Sequence, residues 1–349
     1  MSYSVKTLGD LATLPHDQVI DVRSPAEFQA DHLPGAINLP ALSNEERARV
    51  GTIYVQDDPF RARKIGAALV ARNMAHHLET ALADRPGGWR PLVYCWRGGQ
   101  RSGSVVSILA QIGWRADKLD HGYQAYRRLV KTALYDTPLP MRLILIDGGT
   151  GTGKTQLLAA LAAEGAQVLD LEALGQHRGS LFGLVGKAQP AQKMFESRIA
   201  GTLLNFDPAR PVFVEAESNK LGRLILPPSL WQAMIRAPRW QIDAPLKARA
   251  QHLLTSYPDL IADTARLDDT LGQLIQYHGH DKVNMWRELA RSGQFADLAE
   301  ALIAQHYDPR YRRASHSSAP NAQRVSLDRL DASTLRDAAR RLMEGETEA

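Results

Sequence analysis

The sequence predicts an α/β protein, with two α/β domains in series and a helical C-terminal appendage. Three observations carry this. Short apolar runs alternate with helix-length segments over residues 1–134, the alternation restarts at Met141 around a glycine-rich loop, and beyond about Pro245 apolar residues recur every three or four positions. Residues 135–140 contain Pro138 and Pro140, which restrict themselves and their predecessors, so they read as a linker. The expected division is therefore 1–134, linker 135–140, 141–245 and 246–349.

Taken in order, residues 19–22, 36–39 and 92–94 read as short strands, and 57–73 and 103–112 as helices, the rhythm of a parallel-rich sheet. The second domain opens with a strand at 143–146, the glycine loop, and a helix with Leu157, Leu158, Leu161 and Ala162 on one face. Further strands are expected at 167–169, 211–214 and 239–242. Helical spacing then takes over, through Leu253, Leu254, Leu260 and Ile261, then Leu271, Leu274 and Ile275, then Leu298, Leu302 and Ile303. Residues 315–320 read as a surface loop and 333–343 as a final helix.

With 349 residues, 44% hydrophobic and 23% charged, the composition is that of an ordinary soluble globular protein. Lys+Arg 42 against Asp+Glu 38 leaves +4, and a pI near 9.1. This mild basic balance permits a nucleic-acid partner without demanding one, because clustering decides. The clusters are Arg97/Arg101, Arg127/Arg128/Lys131 and Arg310/Arg312/Arg313, each with solvated surface charge as the plain alternative. The start has no apolar leader and no run approaches the roughly 20 residues of a membrane span, so a cytoplasmic protein without a membrane partner is expected. A single cysteine excludes an internal disulfide framework and a cysteine-based zinc site.

That cysteine, Cys95, closes the apolar run ending at Tyr94 and opens the loop Trp96-Arg97-Gly98-Gly99-Gln100-Arg101-Ser102. With Ser102 as the expected N-cap of helix 103–112, backbone N–H groups and a positive helix end would face the sulfur and favour thiolate. Arg101 adds a fixed positive charge suited to an anion on that sulfur. The plain alternative is a small buried hydrophobe at a strand end.

In the second domain, Gly148-Gly149-Thr150-Gly151-Thr152-Gly153-Lys154-Thr155 fits G-x-x-x-x-G-K-[ST] between a strand and a helix. Gly148, Gly151 and Gly153 let backbone N–H groups wrap phosphate oxygens, Lys154 reaches the outer phosphates, and Thr155 is a ligand for Mg²⁺. A nucleotide and a diphosphate ester both fit such a cradle. Glu215 and Glu217 end an apolar strand where such a domain places a metal-water ligand or a base, with a solvated strand end as the alternative. His177 and Arg178 are candidates for contact with phosphate or substrate.

The runs Asp21-Val22-Arg23-Ser24-Pro25-Ala26-Glu27-Phe28 and His32-Leu33-Pro34-Gly35-Ala36-Ile37-Asn38, ahead of the Cys95 loop, resemble the rhodanese family. That resemblance implies a rhodanese-like N-terminal domain whose thiolate carries a chalcogen. Cys95-x5-Arg101 is also the spacing of cysteine-dependent phosphatases, a rival on this domain alone. The second domain, with Asp170-Leu171-Glu172-Ala173-Leu174, His177-Arg178-Gly179-Ser180-Leu181-Phe182-Gly183, Glu215-Ala216-Glu217-Ser218 and Tyr307-Asp308-Pro309-Arg310-Tyr311, is similar to the tRNA 2-selenouridine synthase family, as is Gly51-Thr52-Ile53-Tyr54.

The resemblance implies an enzyme that replaces the sulfur of wobble 2-thiouridine in tRNA with selenium from selenophosphate, with an associated geranylation of that sulfur by geranyl diphosphate. Cys95 would carry selenium, the P-loop NTPase-like domain would grip a diphosphate or a nucleotide with Mg²⁺, and the helical appendage and basic clusters would hold the anticodon arm. A selenophosphate-supplying enzyme is a further expected partner. The alternatives are a cysteine-dependent phosphatase or sulfurtransferase fused to a nucleotide-binding domain, and a nucleotide-dependent scaffold.

Overall fold

The computed structural model describes residues 1–178, 188–314 and 323–347. The chain divides into two compact units, Met1–Pro138 with Pro190–Asn205, and Leu139–Gln189 with Phe206–Ala349.

In the first unit, short apolar runs separated by turns build an all-parallel sheet. Its strands are β1 (Ser2–Tyr3), β2 (Gln18–Asp21), β3 (Ile37–Asn38), β4 (Pro91–Tyr94) and β5 (Asp117–Leu119), in the order β1-β5-β4-β2-β3. All of β4 is buried at the centre, as a parallel strand covered on both faces must be. The helices are α1 (Pro25–Ala30), α2 (Asn44–Gln56), α3 (Pro59–Glu79), α4 (Gln100–Ile112) and α5 (Gly122–Lys131). Met74, Val93 and Leu109 meet in the core.

The helix expected over 57–73 is α3, which starts at Pro59 and runs on to Glu79, and α2 precedes it as a separate helix. Ser43 and Glu46 form a reciprocal capping box that starts α2, and Asp58 caps α3 with Pro59 in its first turn. Residues 135–136 of the expected linker are helical, because α5 runs on into a π-helical turn, Thr132–Asp136.

The second unit starts with β6 (Leu143–Asp147), α6 (Lys154–Ala163), β7 (Gln167–Leu169) and α7 (Leu171–Gly175). The chain then supplies α8 (Gln192–Leu204), which is counted with the first unit. There Glu196 is buried, accepts from Tyr135 Oη at 2.7 Å and pairs with Arg127. The second unit resumes with β8 (Val212–Glu215), the antiparallel hairpin β9 (Lys220–Leu221) and β10 (Leu224–Ile225), α9 (Pro228–Arg236) and β11 (Arg239–Asp243). Helices α10 (Leu246–Ser256), α11 (Pro258–Ala262), α12 (Thr264–Gly272), α13 (Ile275–His278), α14 (His280–Arg291) and α15 (Phe295–Leu302) follow, then a π-helical turn, Ile303–Tyr307, and α16 (Asp308–Ala314). The chain ends in β12 (Gln323–Ser326) and α17 (Ala332–Thr347).

This unit also carries an all-parallel sheet, in the order β12-β11-β6-β8-β7. Strand β12 corrects the purely helical reading of 246–349: Trp240 to Asp243 pair with Gln323 to Ser326, a segment whose one apolar residue, Val325, left no strand pattern to read. Leu157, Leu158 and Leu161 are buried as expected, whereas Ala162 is exposed. The expected loop 315–320 and the motif residues 179–183 lie outside the described residues. Among the described residues no helix is long and apolar enough to cross a membrane.

Candidate active site

Cys95 follows β4 directly, and α4 begins five residues later with Gly99 as its N-cap. The expected cap, Ser102, instead sits buried inside the first turn. The Gly99 carbonyl accepts from the Gly103 N–H at 3.0 Å, so the helix opens three residues earlier than the serine suggested. Ser102 thereby acquires a different task, with its hydroxyl 3.2 Å from Cys95 Sγ and 3.3 Å from the Gly99 carbonyl.

The loop is pinned from outside by the start of α5. Tyr123 N–H donates to the Cys95 carbonyl at 2.8 Å and Gln124 N–H to the Trp96 carbonyl at 3.1 Å. Gly122 has φ +53°, and a Cβ there would collide with the Cys95 carbonyl oxygen. Gly98 is buried opposite it, while Arg97 and Gln100 face solvent.

Burial pushes the Cys95 thiol up, but the Ser102 hydroxyl and N–H, the charge of Arg101 and the Gly99 N–H outweigh it and hold the thiol below its ordinary value. Arg101 is anchored: its guanidinium bonds Glu27 at 2.8 and 3.4 Å. Glu27 also pairs with Arg47 at 2.9 Å and accepts from the Ser24 N–H at 3.1 Å. Burial raises the Glu27 carboxyl, and the bond and charge of Arg101 bring it below the usual range. Arg101 therefore acts on the sulfur through its field. Beneath the loop Arg23 bonds Asp21 at 2.7 Å and lies 3.9 Å from the Tyr123 ring centroid, a buried cation boxed by aromatics.

The glycine-rich loop of the second unit joins β6 to α6. Gly148 has φ +155°, and a Cβ there would stand 2.6 Å from Thr152 Oγ1 and 2.8 Å from the Ile242 carbonyl oxygen. Gly151 and Gly153 have φ +81° and +79°. Lys154 Nζ donates to the Gly148 carbonyl at 2.9 Å and lies 3.6 Å from Glu215 Oε1. Pairing of Ile146 with Glu215 carries that carboxylate to the foot of the loop.

Glu172, Glu215 and Glu217 bring carboxylate oxygens within 4.8 Å of one another. Thr155 Oγ1 is 3.3 Å from Glu172 and 3.5 Å from Glu215. Burial, then the charges of Glu215 and Glu217, push Glu172 up to about 9. Burial and Glu215 push Glu217 up to about 8, and burial raises Glu215 despite Lys154. Three hard oxygen donors with a hydroxyl beside them are the ligand chemistry of Mg²⁺, which would relieve this repulsion.

These groups line a cavity of about 260 Å³, with Arg178, His252 and Tyr257 across from the loop. Arg178 pairs with Asp259 at 3.1 Å and lies 4.7 Å from the Tyr257 ring centroid. His177 is buried and outside the lining, its N–H bonded to the Glu172 carbonyl at 3.0 Å. Thr150, Leu253 and Tyr257 also line an adjoining apolar cleft that continues over Leu260, Phe295 and Leu302.

A family model described as a rhodanese-like domain matches residues 4–129, and one described as a tRNA 2-selenouridine synthase AAA domain matches 141–285. A Hahella chejuensis protein named tRNA 2-selenouridine synthase is 34% identical over 315 residues, covering 84% of this chain and 80% of its own. The chain belongs to the tRNA 2-selenouridine synthase family. Members from Cronobacter sakazakii and Ectopseudomonas mendocina, with the same name, are 34% and 32% identical over 333 and 323 residues, in each case 84% of this chain and 86% of theirs. The family's two matched regions thus correspond to a rhodanese-like domain with the Cys95 loop and a P-loop-like α/β domain with Lys154.

Several residues of this family member acquire roles that their sequence segments did not announce. Glu172 joins Glu215 and Glu217 only because α7 turns back onto the P-loop. Arg249 bonds Asp308 at 3.0 and 2.6 Å and the Thr150 carbonyl at 2.9 Å, bracing the P-loop from behind. Tyr311 Oη bonds Asp147 Oδ1 at 2.9 Å. The run Tyr307-Asp308-Pro309-Arg310-Tyr311 was the available signal, without a role attached. Two expected basic clusters are partly committed inside the fold: Arg127 to Glu196, and Arg310 to His306 Nδ1 at 2.8 Å and the Tyr277 ring. The side chains of Arg312 and Arg313 lie outside the described residues.

Proposed function

We propose that this chain is a tRNA-modifying selenotransferase, which replaces the sulfur of wobble 2-thiouridine with selenium from selenophosphate through an S-geranylated intermediate. Family membership supports the selenium chemistry on tRNA. The observation that carries the finer reading is the continuity of the phosphate loop with an aliphatic cleft through Thr150, Leu253 and Tyr257, which suits a diphosphate head on a hydrocarbon tail.

In the first step the thiouridine sulfur attacks C1 of geranyl diphosphate, the C–O bond breaks, and diphosphate departs with the electron pair. Lys154 and the loop N–H groups take up the charge that develops on it. Glu172, Glu215, Glu217 and the Thr155 hydroxyl would hold Mg²⁺, which supplies further screening of that charge when bound. In the second step the selenide-level selenium of selenophosphate attacks C2, the geranyl thiolate leaves with the C–S electron pair, and the Se–P bond breaks as the phosphoryl group passes to water. The Cys95 loop holds that selenium donor, and Ser102, the Gly99 N–H and the field of Arg101 stabilise the anion beside the sulfur, as they stabilise the thiolate.

The two centres are separable by experiment. In Cys95→Ser, mass spectrometry of wobble nucleosides should find geranylated thiouridine and no selenouridine. In Lys154→Ala, geranylation should fall by about 100-fold or more, in line with loss of one charge-stabilising donor. Unimpaired geranylation in Lys154→Ala would move the diphosphate away from the P-loop, and full selenium incorporation in Cys95→Ser would remove Cys95 from the reaction.

A further inference from the structure

A second cavity, on the first unit, lies outside both centres. It is a groove of about 520 Å³ between α2, α3 and the first two turns of α4. Leu42 and Val70 form its buried floor, Tyr54 and Arg63 stand at its rim, and Arg101 and Ser104 close the wall toward the cysteine loop. Its size is that of a site for one small organic group.

The lining is one-sided in charge, with Arg63 and Arg101 and no carboxylate among its residues. Asp57 pairs with Arg61 at 2.6 Å, and Glu27 is held by Arg101 and Arg47. Among the described residues no carboxylate pairs with Arg63, Lys64 or Arg49, all exposed; Arg63 bonds only the Pro59 carbonyl, at 3.3 Å. Beside these cations stand two exposed aromatic rings, Tyr54 (54% exposed) and Phe60 (68%). Unpaired cations interleaved with solvent-facing rings complement a single-stranded nucleic acid, whose phosphates meet the cations while its bases stack on the rings. A groove of this size takes one unstacked base, and a duplex offers none.

We propose that this groove receives an unstacked nucleotide of the tRNA loop, with its base against Tyr54 and a flanking phosphate on Arg63 and Lys64. The assignment rests on the tRNA reading above and names where the RNA docks. Arg101 ties it to the chemistry, because the side chain that walls the groove is the one whose charge lowers the Cys95 thiol. RNA held here lies against the rim of the cysteine loop.

The test is fluorescence anisotropy of the full chain with a labelled anticodon stem-loop RNA and with a blunt RNA duplex, over a range of salt. Tyr54→Ala should weaken stem-loop binding between about 5- and 150-fold while Tyr54→Phe retains it, the loss expected of one base–aromatic stack. Arg63→Glu should weaken it and flatten the salt dependence by about one phosphate contact. Both side chains face solvent, and an unchanged melting temperature verifies the fold. If the wild-type chain binds the stem-loop and Tyr54→Ala and Arg63→Glu bind it equally well, the groove is wrong and the tRNA reading stands. Equal losses for stem-loop and duplex overturn the base pocket, and no stem-loop binding by the wild-type chain overturns the reading beneath it.

Discussion

At the scale of single residues, the reactivity of Cys95 is a contest between burial and four local compensations. Burial alone would make the sulfur an inert thiol, and the Ser102 hydroxyl at 3.2 Å is the strongest of the opposing groups. Removing it should therefore raise the thiol. In Ser102→Ala the rate of iodoacetamide alkylation should rise with pH about a unit later than in the unaltered chain, the worth of one hydrogen bond to a charged acceptor. Because the shift is upward, alkylation at neutral pH should slow while the rate at high pH converges. A profile that stays put would assign the lowered value to Arg101 and the loop backbone instead. The same contest explains why Arg101 is tied to Glu27: a guanidinium fixed by a carboxylate keeps its position, and the pair leaves a residual field at the sulfur.

At the scale of elements, the phosphate loop is shaped by segments far from it in sequence. Arg249, at the start of α10, fills the space beneath Gly149, where a Cβ would meet its guanidinium at 2.7 Å. Asp308, at the start of α16, holds that guanidinium with two bonds. Arg249→Ala leaves the Asp308 carboxylate without its partner and the Thr150 carbonyl without its donor. We expect a loss of about 2 kcal/mol, less than for a fully buried pair because Asp308 is partly exposed. It should appear as a melting point several degrees lower and weaker diphosphate binding. Arg249→Lys should fail to restore it, since an ammonium cannot make the two-pronged contact. Full binding by Arg249→Lys would reduce the brace to simple charge.

At the scale of the whole molecule, the chain does not divide at a single point. Helix α8 belongs to the first unit although it lies between β7 and β8 of the second. It brings Glu196 to Arg127 and Tyr135, and places Ser197 among the groups that act on the buried Asp31. A fragment of residues 1–138 would keep the sheet and lose these partners. It should melt well below a fragment in which residues 190–205 are fused behind it, and bind more of a dye that reports exposed apolar surface. Equal melting of the two fragments would make α8 dispensable to the first unit.

The sequence by itself determined the two α/β units, the strands β2, β3, β4, β6, β7, β8 and β11 to within a residue or two, and the two loops that carry Cys95 and Lys154. These signals are local: an apolar run of strand length, a glycine-rich turn and a helix start lie within about a dozen residues of one another. Tertiary structure decided the rest. Glu172 meets Glu215 across 43 positions, Arg249 meets Asp308 across 59, Glu27 meets Arg101 across 74, and β12 finds β11 without an apolar pattern of its own. The first three bring together polar groups that no periodicity encodes, because a charge's neighbour is chosen by the fold that desolvates both. The serine that read as a helix cap shows the same limit. Only the position of Gly99 and the pinning of the loop by α5 decided that Ser102 faces the sulfur.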